Sequence, residues 1–254
     1  MDEIKEFNKA VILVLARDEV ISLRETVQGI EAACRAEDVS HIILVLAPDV
    51  TEACRGEADR LASDLSFPIS LVVEREKGGA MGAYFQQLLR GQAGASHAVI
   101  WTADWDAQPG TVALMIEKAK ENPVAVVQLS RFLPGGGLPA SKKGIVNLRD
   151  AVFARLVCLL YRSEQTDPHF GLVLFPIRDF LRFDLRETFF AFTLEYILCF
   201  ERLGTRIIEI PLKQQPRPEG ESNLSVMDKL RYFVPLIRLR FLPKSKIFKE
   251  GADG

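Results

Sequence analysis

The sequence predicts an α/β domain with a mostly parallel central sheet flanked by helices. Two observations carry this. Short β-branched apolar runs recur along the chain, and stretches with apolar residues at helical spacing separate them. The strand-like runs are apolar along nearly their whole length, as expected of strands buried on both faces. Alternation with helices favours parallel pairing, because joining parallel strands requires a crossover, usually a helix. The chain has 254 residues, 48% of them hydrophobic, which is enough to bury one large core.

Residues 10–15 (AVILVL) read as the first strand, followed by a helix over 19–35. Residues 41–46 (HIILVL) form the second strand, with a helix over 51–65. Residues 69–73 (ISLVV) give the third strand and 80–90 a helix; residues 97–101 (HAVIW) give the fourth strand. In the helix over 111–121, Val112, Met115, Ile116 and Ala119 recur on one face. A fifth strand is read over 124–129 (VAVVQL).

The second half is less regular. Residues 134–139 (PGGGLP) are a loop by composition, and a long helix is read over 147–162. Strands over 171–175 and 206–210 bracket a helix over 192–203, with Gly204 as its C-cap. Residues 214–223 are polar and loop-like; a last helix, over 226–242, is bent or interrupted at Pro235. Residues 1–225 read as the main domain. Residues 226–254 read as a basic amphipathic helix and tail, within that domain or appended to it.

The formal net charge of −2 provides no global basic field, so nucleic acid is not an expected partner. Basic residues do gather near the end. Arg231, Arg238, Arg240, Lys244, Lys246 and Lys249 have no acid among them; the nearest acids are Asp228 and Glu250. Interleaved with Leu230, Phe233, Ile237 and Phe241, they fit either a helix packed on the domain or one lying on an anionic membrane surface. Cys34, Cys54, Cys158 and Cys199 form no Cys-x-x-Cys pair, which favours reduced thiols in a cytoplasmic setting; the membrane alternative for the basic helix would add peripheral contact at the inner membrane face. The polar N-terminus is not expected to be a signal peptide.

Open α/β sheets bind ligands beyond the carboxyl ends of their strands. Three segments meet that condition: Arg17-Asp18-Glu19, the stretch 102–108, and Arg131 with its glycine loop. Thr102, Asp104 and Asp106 alternate, so an extended chain presents all three oxygen-bearing side chains on one side. Mg²⁺ and Mn²⁺ favour such donors, usually one or two carboxylates plus substrate phosphates. The structural alternative is an acidic N-cap for a helix opening near Pro109.

The order of these segments resembles the family 2 glycosyltransferases, and within them the dolichol-phosphate mannose synthase-like group. The resemblance rests on Val14-Leu15-Ala16-Arg17-Asp18-Glu19 and Glu76-Lys77-Gly78-Gly79-Ala80, then on the acidic segment before Pro109. It continues through Leu129-Ser130-Arg131 with the glycine loop, Asp167-Pro168-His169-Phe170-Gly171, and Phe192-Thr193-Leu194-Glu195. Leu203-Gly204 through Glu209-Ile210-Pro211 and Arg217 through Ser222 to Ser225 complete it. Each piece is weak alone; their order from Val11 to about Leu242 carries the signal. Thr102 stands where that group carries its first metal-motif aspartate, and Asp49 is what remains of its acidic segment after the second strand.

The resemblance implies a GT-A fold, the nucleotide-diphospho-sugar transferase fold. It also implies metal-assisted, inverting transfer from a nucleotide-diphosphate sugar to a polyprenyl-phosphate or glycan acceptor. Asp104 and Asp106 would hold Mg²⁺ or Mn²⁺. Ala16, Arg17, Asp18, Glu19, Asp49, Lys77, Ala103 and Trp105 would face the donor. Arg131, Lys143, Arg217 and Ser222 would meet acceptor or leaving phosphate. Asp167 would act as base toward a hydroxyl acceptor. Glu195, a carboxylate among apolar neighbours, needs a partner, and Arg217 is the expected one. Two other classes remain. A nucleotidyltransferase would need a glycine-rich loop directly after the first strand, which Leu15-Ala16-Arg17-Asp18-Glu19 lacks. A catalytically impaired relative that binds nucleotide, lipid or a partner would account for Thr102.

Overall fold

The computed structural model describes residues 6–73, 80–104, 107–139, 145–168, 170–188, 191–216, 231 and 233–249, with side chains from 150 onward in the helix that opens at 145. Seven strands form one sheet: β1 (Ala10–Ala16), β2 (Val39–Leu46), β3 (Ile69–Val73), β4 (His97–Thr102), β5 (Val126–Ser130), β6 (Val173–Pro176) and β7 (Ile207–Pro211). Their spatial order is β3-β2-β1-β4-β6-β5-β7. β6 is antiparallel to both neighbours, and the other pairs are parallel. The expected mostly parallel sheet flanked by helices is therefore present.

The connecting helices are α1 (Ile21–Ala33), α2 (Glu52–Asp64), α3 (Met81–Arg90), α4 (Thr111–Glu121) and α5 (Ile145–Tyr161). α6 (Ile177–Arg182), α7 (Ala191–Leu203) and α8 (Phe233–Phe241) follow. They enclose two cores, one on each face of the sheet. One joins Ile12, Val14 and Trp101 to α1, α2 and α4; the other joins Val11, Leu13 and Phe175 to α3 and α7. Alternating strand residues feed opposite cores, which explains the near-continuous apolar runs.

Details differ at helix ends. α1 opens at Ile21 with Val20 as N-cap and no side-chain cap, so Asp18 does not cap it. The Glu19 carboxylate instead accepts the Arg17 and Asp18 backbone N–H groups, at 2.7 and 3.1 Å. α4 starts after Gly110, well beyond Asp104. α7 ends as expected: Gly204 takes φ +85°, its N–H reaches the Glu201 carbonyl, and that of Thr205 reaches Phe200. α6 was not anticipated; six residues are too few for periodicity to show. Of the last helix, residues 226–230 lie outside the described residues, and α8 packs on α7 through Leu236 and Leu239.

His97, the first residue of β4, is fully buried. Its Nε2 lies 2.8 Å from the Pro123 carbonyl and its Nδ1 2.8 Å from Ser96 Oγ. A carbonyl only accepts, so Nε2 carries the proton and Nδ1 accepts from the serine. Burial pushes the imidazole down to about 4, against a small opposing effect from the Pro123 bond. The folded value lies below the unfolded one, so the unfolded chain binds the proton first as pH falls. This stability is complete above the unfolded value and is lost as pH falls from about 6.5 toward 4, up to about 3 kcal/mol. Urea midpoints measured across that range should therefore fall more steeply for the natural chain than for His97→Gln.

Candidate functional site

The strand order reverses between β1 and β4: β2 and β3 lie on one side of β1, and the later strands lie on the other. The carboxyl ends of β1 and β4 therefore border the crevice where doubly wound sheets bind ligands. The register pairs Leu15 with Thr102, and the Ala103 N–H continues the pairing to the Leu15 carbonyl at 2.9 Å. Arg17 and Asp104, each two residues further on, leave the sheet side by side.

Thr102 and Asp104 act together. The threonine hydroxyl donates to Asp104 Oδ1 at 2.6 Å, fixing the half-buried carboxylate at the strand end. Across the crevice, Arg17 Nη2 pairs with Asp49 Oδ2 at 2.5 Å. Both side chains are more than a third exposed, so the pair adds little stability; it sets the direction of the guanidinium instead. The Thr51 N–H binds the Arg17 carbonyl at 3.1 Å and fixes the segment carrying Asp49 against the end of β1. Glu19 closes the turn below. Ala16 and Ala103 are buried and form the apolar floor. The structure thus gathers Ala16, Arg17, Asp18, Glu19, Asp49, Ala103 and Asp104 at one place. Lys77, Trp105, Asp106, Lys143, Arg217 and Ser222 lie outside the described residues. Among the described residues no group of three or more His, Cys, Asp or Glu could hold a metal ion.

A second polar cluster lies at the carboxyl end of β5. Arg131 Nε and Nη2 donate to the two oxygens of Asp167 at 2.7 and 2.8 Å, and the Arg131 backbone N–H adds a third bond at 3.0 Å. Asp150 stands 3.4 Å from the same guanidinium, which also stacks over the Phe170 ring at 4.8 Å. Asp167 is 0% exposed and Arg131 9%. The arginine thus turns inward to a carboxylate, and the aspartate is wholly buried against it.

The segment carrying Asp167 is held from below. Glu209 in β7 accepts the Thr166 and Asp167 N–H groups and the Thr166 hydroxyl, at 2.8–3.0 Å. Because Thr166 donates there, Ser130 Oγ is the donor in its 2.5 Å contact with Thr166 Oγ1. Gln128 Nε2 donates to the Asp167 and Phe170 carbonyls. Burial raises the Glu209 carboxyl above its ordinary range, and the bonds from Thr166 and Asp167 oppose that. Ser130, Thr166, Glu209 and Asp150 had no role assigned from sequence. The available signal was Glu209 itself, an acid inside the apolar run Ile207–Pro211.

Glu195 is held by described partners, while Arg217, its expected one, lies outside the described residues. Its carboxylate accepts the Arg186 and Glu187 N–H groups at 2.9 and 3.0 Å and forms an ion pair with Arg238 of α8. The Glu187 carbonyl in turn accepts the N–H of Met81, the first residue of α3. Gly82 makes this contact feasible: a Cβ there would lie 2.4 Å from the Leu185 Cβ. Glu195 therefore anchors the start of α3, directly after the segment containing Lys77.

No family model matches the chain, and no curated protein is similar to it in sequence. Solved structures do match. Glucosyl-3-phosphoglycerate synthase from Mycobacterium tuberculosis, in complex with Mg²⁺ and uridine diphosphate, superposes with a TM-score of 0.66 at 14% identity, covering 94% of this chain and 81% of that one. The same enzyme with Mn²⁺, uridine-diphosphate-glucose and phosphoglyceric acid gives 0.67 at 14% identity, covering 94% and 82%. A structure described only as a mycobacterial protein gives 0.67 at 15%, covering 94% and 76%. At such identities the likeness establishes the fold. It is the GT-A fold of nucleotide-sugar transferases.

Proposed function

We propose that this chain transfers a sugar from a nucleoside-diphosphate sugar to a phosphate-bearing acceptor, assisted by Mg²⁺ or Mn²⁺. The observation that carries the reading is Asp104, oriented by Thr102 at the β1/β4 crevice of a GT-A fold, with the Arg17–Asp49 pair at the adjoining end of β1. The donor chemistry fits a hard cation: a carboxylate at a strand end, with diphosphate oxygens and water as the other ligands such a cation would take. Asp106, outside the described residues, is the second carboxylate of this reading. A cation so placed would offset the charge that builds on the departing nucleoside diphosphate.

The chain's own residues would perform the rest. The Arg17 guanidinium, aimed by Asp49, meets the nucleoside end of the donor, and Ala16 and Ala103 allow its close approach. A single displacement at the anomeric carbon inverts it. The sequence offered Asp167 as base, but it is buried against Arg131. A phosphate acceptor already carries a nucleophilic oxygen and needs no base, which favours a polyprenyl-phosphate over a glycan hydroxyl. The structural neighbours support the donor class, since they hold uridine diphosphate or its glucose conjugate with Mg²⁺ or Mn²⁺; the acceptor among them is phosphoglycerate.

Thr102 supports a second reading, a relative that binds nucleotide without transferring sugar. Its hydroxyl supports Asp104 where the resemblance expects another carboxylate. Calorimetric titration of uridine and guanosine diphosphates with and without Mn²⁺ tests the main proposal. Binding should require the metal, and Asp104→Ala should weaken it at least about tenfold. Metal-independent binding indifferent to that substitution would overturn the metal role. Metal-dependent binding without transfer or donor hydrolysis would select the second reading.

A further inference from the structure

Among the described residues, six of the nine exposed large hydrophobic side chains lie on two helices: Val152 and Leu159 on α5, and Phe233, Val234, Ile237 and Phe241 on α8. Leu159 is 79% exposed and Phe241 76%. Single exposed hydrophobics are ordinary, but a cluster on touching elements marks a surface made for a partner. The helices do touch: the Phe153 and Phe233 rings meet edge to face at 5.6 Å, and the Tyr161 hydroxyl donates to the Leu236 carbonyl at 2.8 Å.

α8 is held firmly from its other side. Leu236 and Leu239 are buried, Arg238 reaches Glu195, and Arg202 donates to the carbonyls of Leu239, Arg240 and Leu242. Its outer apolar row is therefore presented on a fixed element. Apart from the buried Asp150 at the inner side of α5, the charge along both helices has one sign. Arg155, Arg162, Arg231, Arg240, Lys244 and Lys246 are exposed. The stretches 151–162 and 231–249 contain no aspartate or glutamate.

We propose that the outer face of α5 and α8 docks onto the surface of an anionic lipid bilayer, with the apolar rows entering the headgroup boundary and the arginines and lysines meeting lipid phosphates. Both halves of the pattern match that surface, which attracts cations and accepts shallow apolar insertion. A second copy of the chain fits less well, because a twofold interface would set the same cations against each other. No helix of the described residues is long and apolar enough to cross a membrane, so the contact is superficial. Asp150 of α5 also pairs with Arg131 at the carboxyl end of β5, which lies on the same side of the sheet as the carboxyl end of β4 with Asp104. Docking would hold that side of the sheet toward the bilayer. Supplying a lipid-linked acceptor rests on the proposed transfer; the docking itself does not.

Flotation of the full chain with vesicles tests this without donor or metal, so its failure is separable from that of the proposed activity. The chain should float with vesicles of phosphatidylglycerol and phosphatidylcholine, stay behind with phosphatidylcholine alone, and release as salt rises. Phe241→Ser and Leu159→Ser should each weaken binding by about tenfold, since each removes a large apolar group from the boundary. Both side chains are exposed, so melting temperatures should not change. Absence of flotation with either vesicle, or binding indifferent to both substitutions, would overturn the proposal. So would a dimer seen by light scattering that Phe241→Ser dissolves, which would assign the face to a second copy.

Discussion

Replacing Asp167 by alanine should destabilise the fold by about 3–5 kcal/mol, the range found when one member of a buried ion pair is removed. Asp167 is wholly buried and receives two guanidinium bonds and one backbone N–H from Arg131. Removing it strands a nearly buried positive charge, with Asp150 at 3.4 Å as a more distant partner. Urea unfolding followed by circular dichroism should show the midpoint drop with little change in slope. Arg131→Met should cost less than Arg131→Ala, because the apolar stem keeps its packing against Phe170. A loss below about 1 kcal/mol for Asp167→Ala, the level of a surface pair, would mean that the cluster does not carry this edge of the sheet.

Glu195→Ala should cost a similar amount, about 3–5 kcal/mol, through a different route. It removes the acceptor of two backbone N–H groups and one of the two carboxylates that meet Arg238 among the described residues, the other being Glu187. Glu195→Gln should cost less, since an amide oxygen can still accept from Arg186 and Glu187. The pH dependence separates charge from hydrogen bonding. Burial raises the Glu195 carboxyl, outweighing the Arg186 and Glu187 N–H groups and Arg238. A raised folded value gives stability that is full below the unfolded glutamate value, about 4.3, and is lost as pH rises through the folded value. The deficit of the glutamine variant relative to the natural chain should thus be largest at acid pH and shrink toward neutrality. A deficit that grows with pH would show that the charged form is the favoured one.

The pattern of elements was legible because each of β1 to β4 is a mostly apolar run long enough to stand out, followed by a helix with one apolar face. The direction of β6 was not. Four buried residues, Val173–Pro176, look the same whichever way they run, and only their pairing with β4 and β5 fixes the sense. At the site, the positions of Arg17 and Asp104 followed from the rule that ligands gather beyond strand ends. Side-chain partners did not follow. Arg131 and Asp167 are separated by 36 residues, and Glu195 and Arg238 by 43. Both arginines sit in segments that seemed aimed at phosphate or membrane, because a sequence shows a charge without showing which buried carboxylate it neutralises.

The antiparallel β6 divides the sheet in the order of synthesis. β1 to β4 neighbour one another and can pair as the nascent chain emerges. Among the described residues β5 pairs only with β6 and β7, both made after it. Until Val173–Pro176 arrives, β4 keeps an open edge and β5 has no place to join. The Arg131–Asp167 cluster joins the end of β5 to the segment that leads into β6. The first half of the domain can thus assemble early, while its exposed β4 edge is the point at which a stalled or truncated chain is most exposed to wrong pairing.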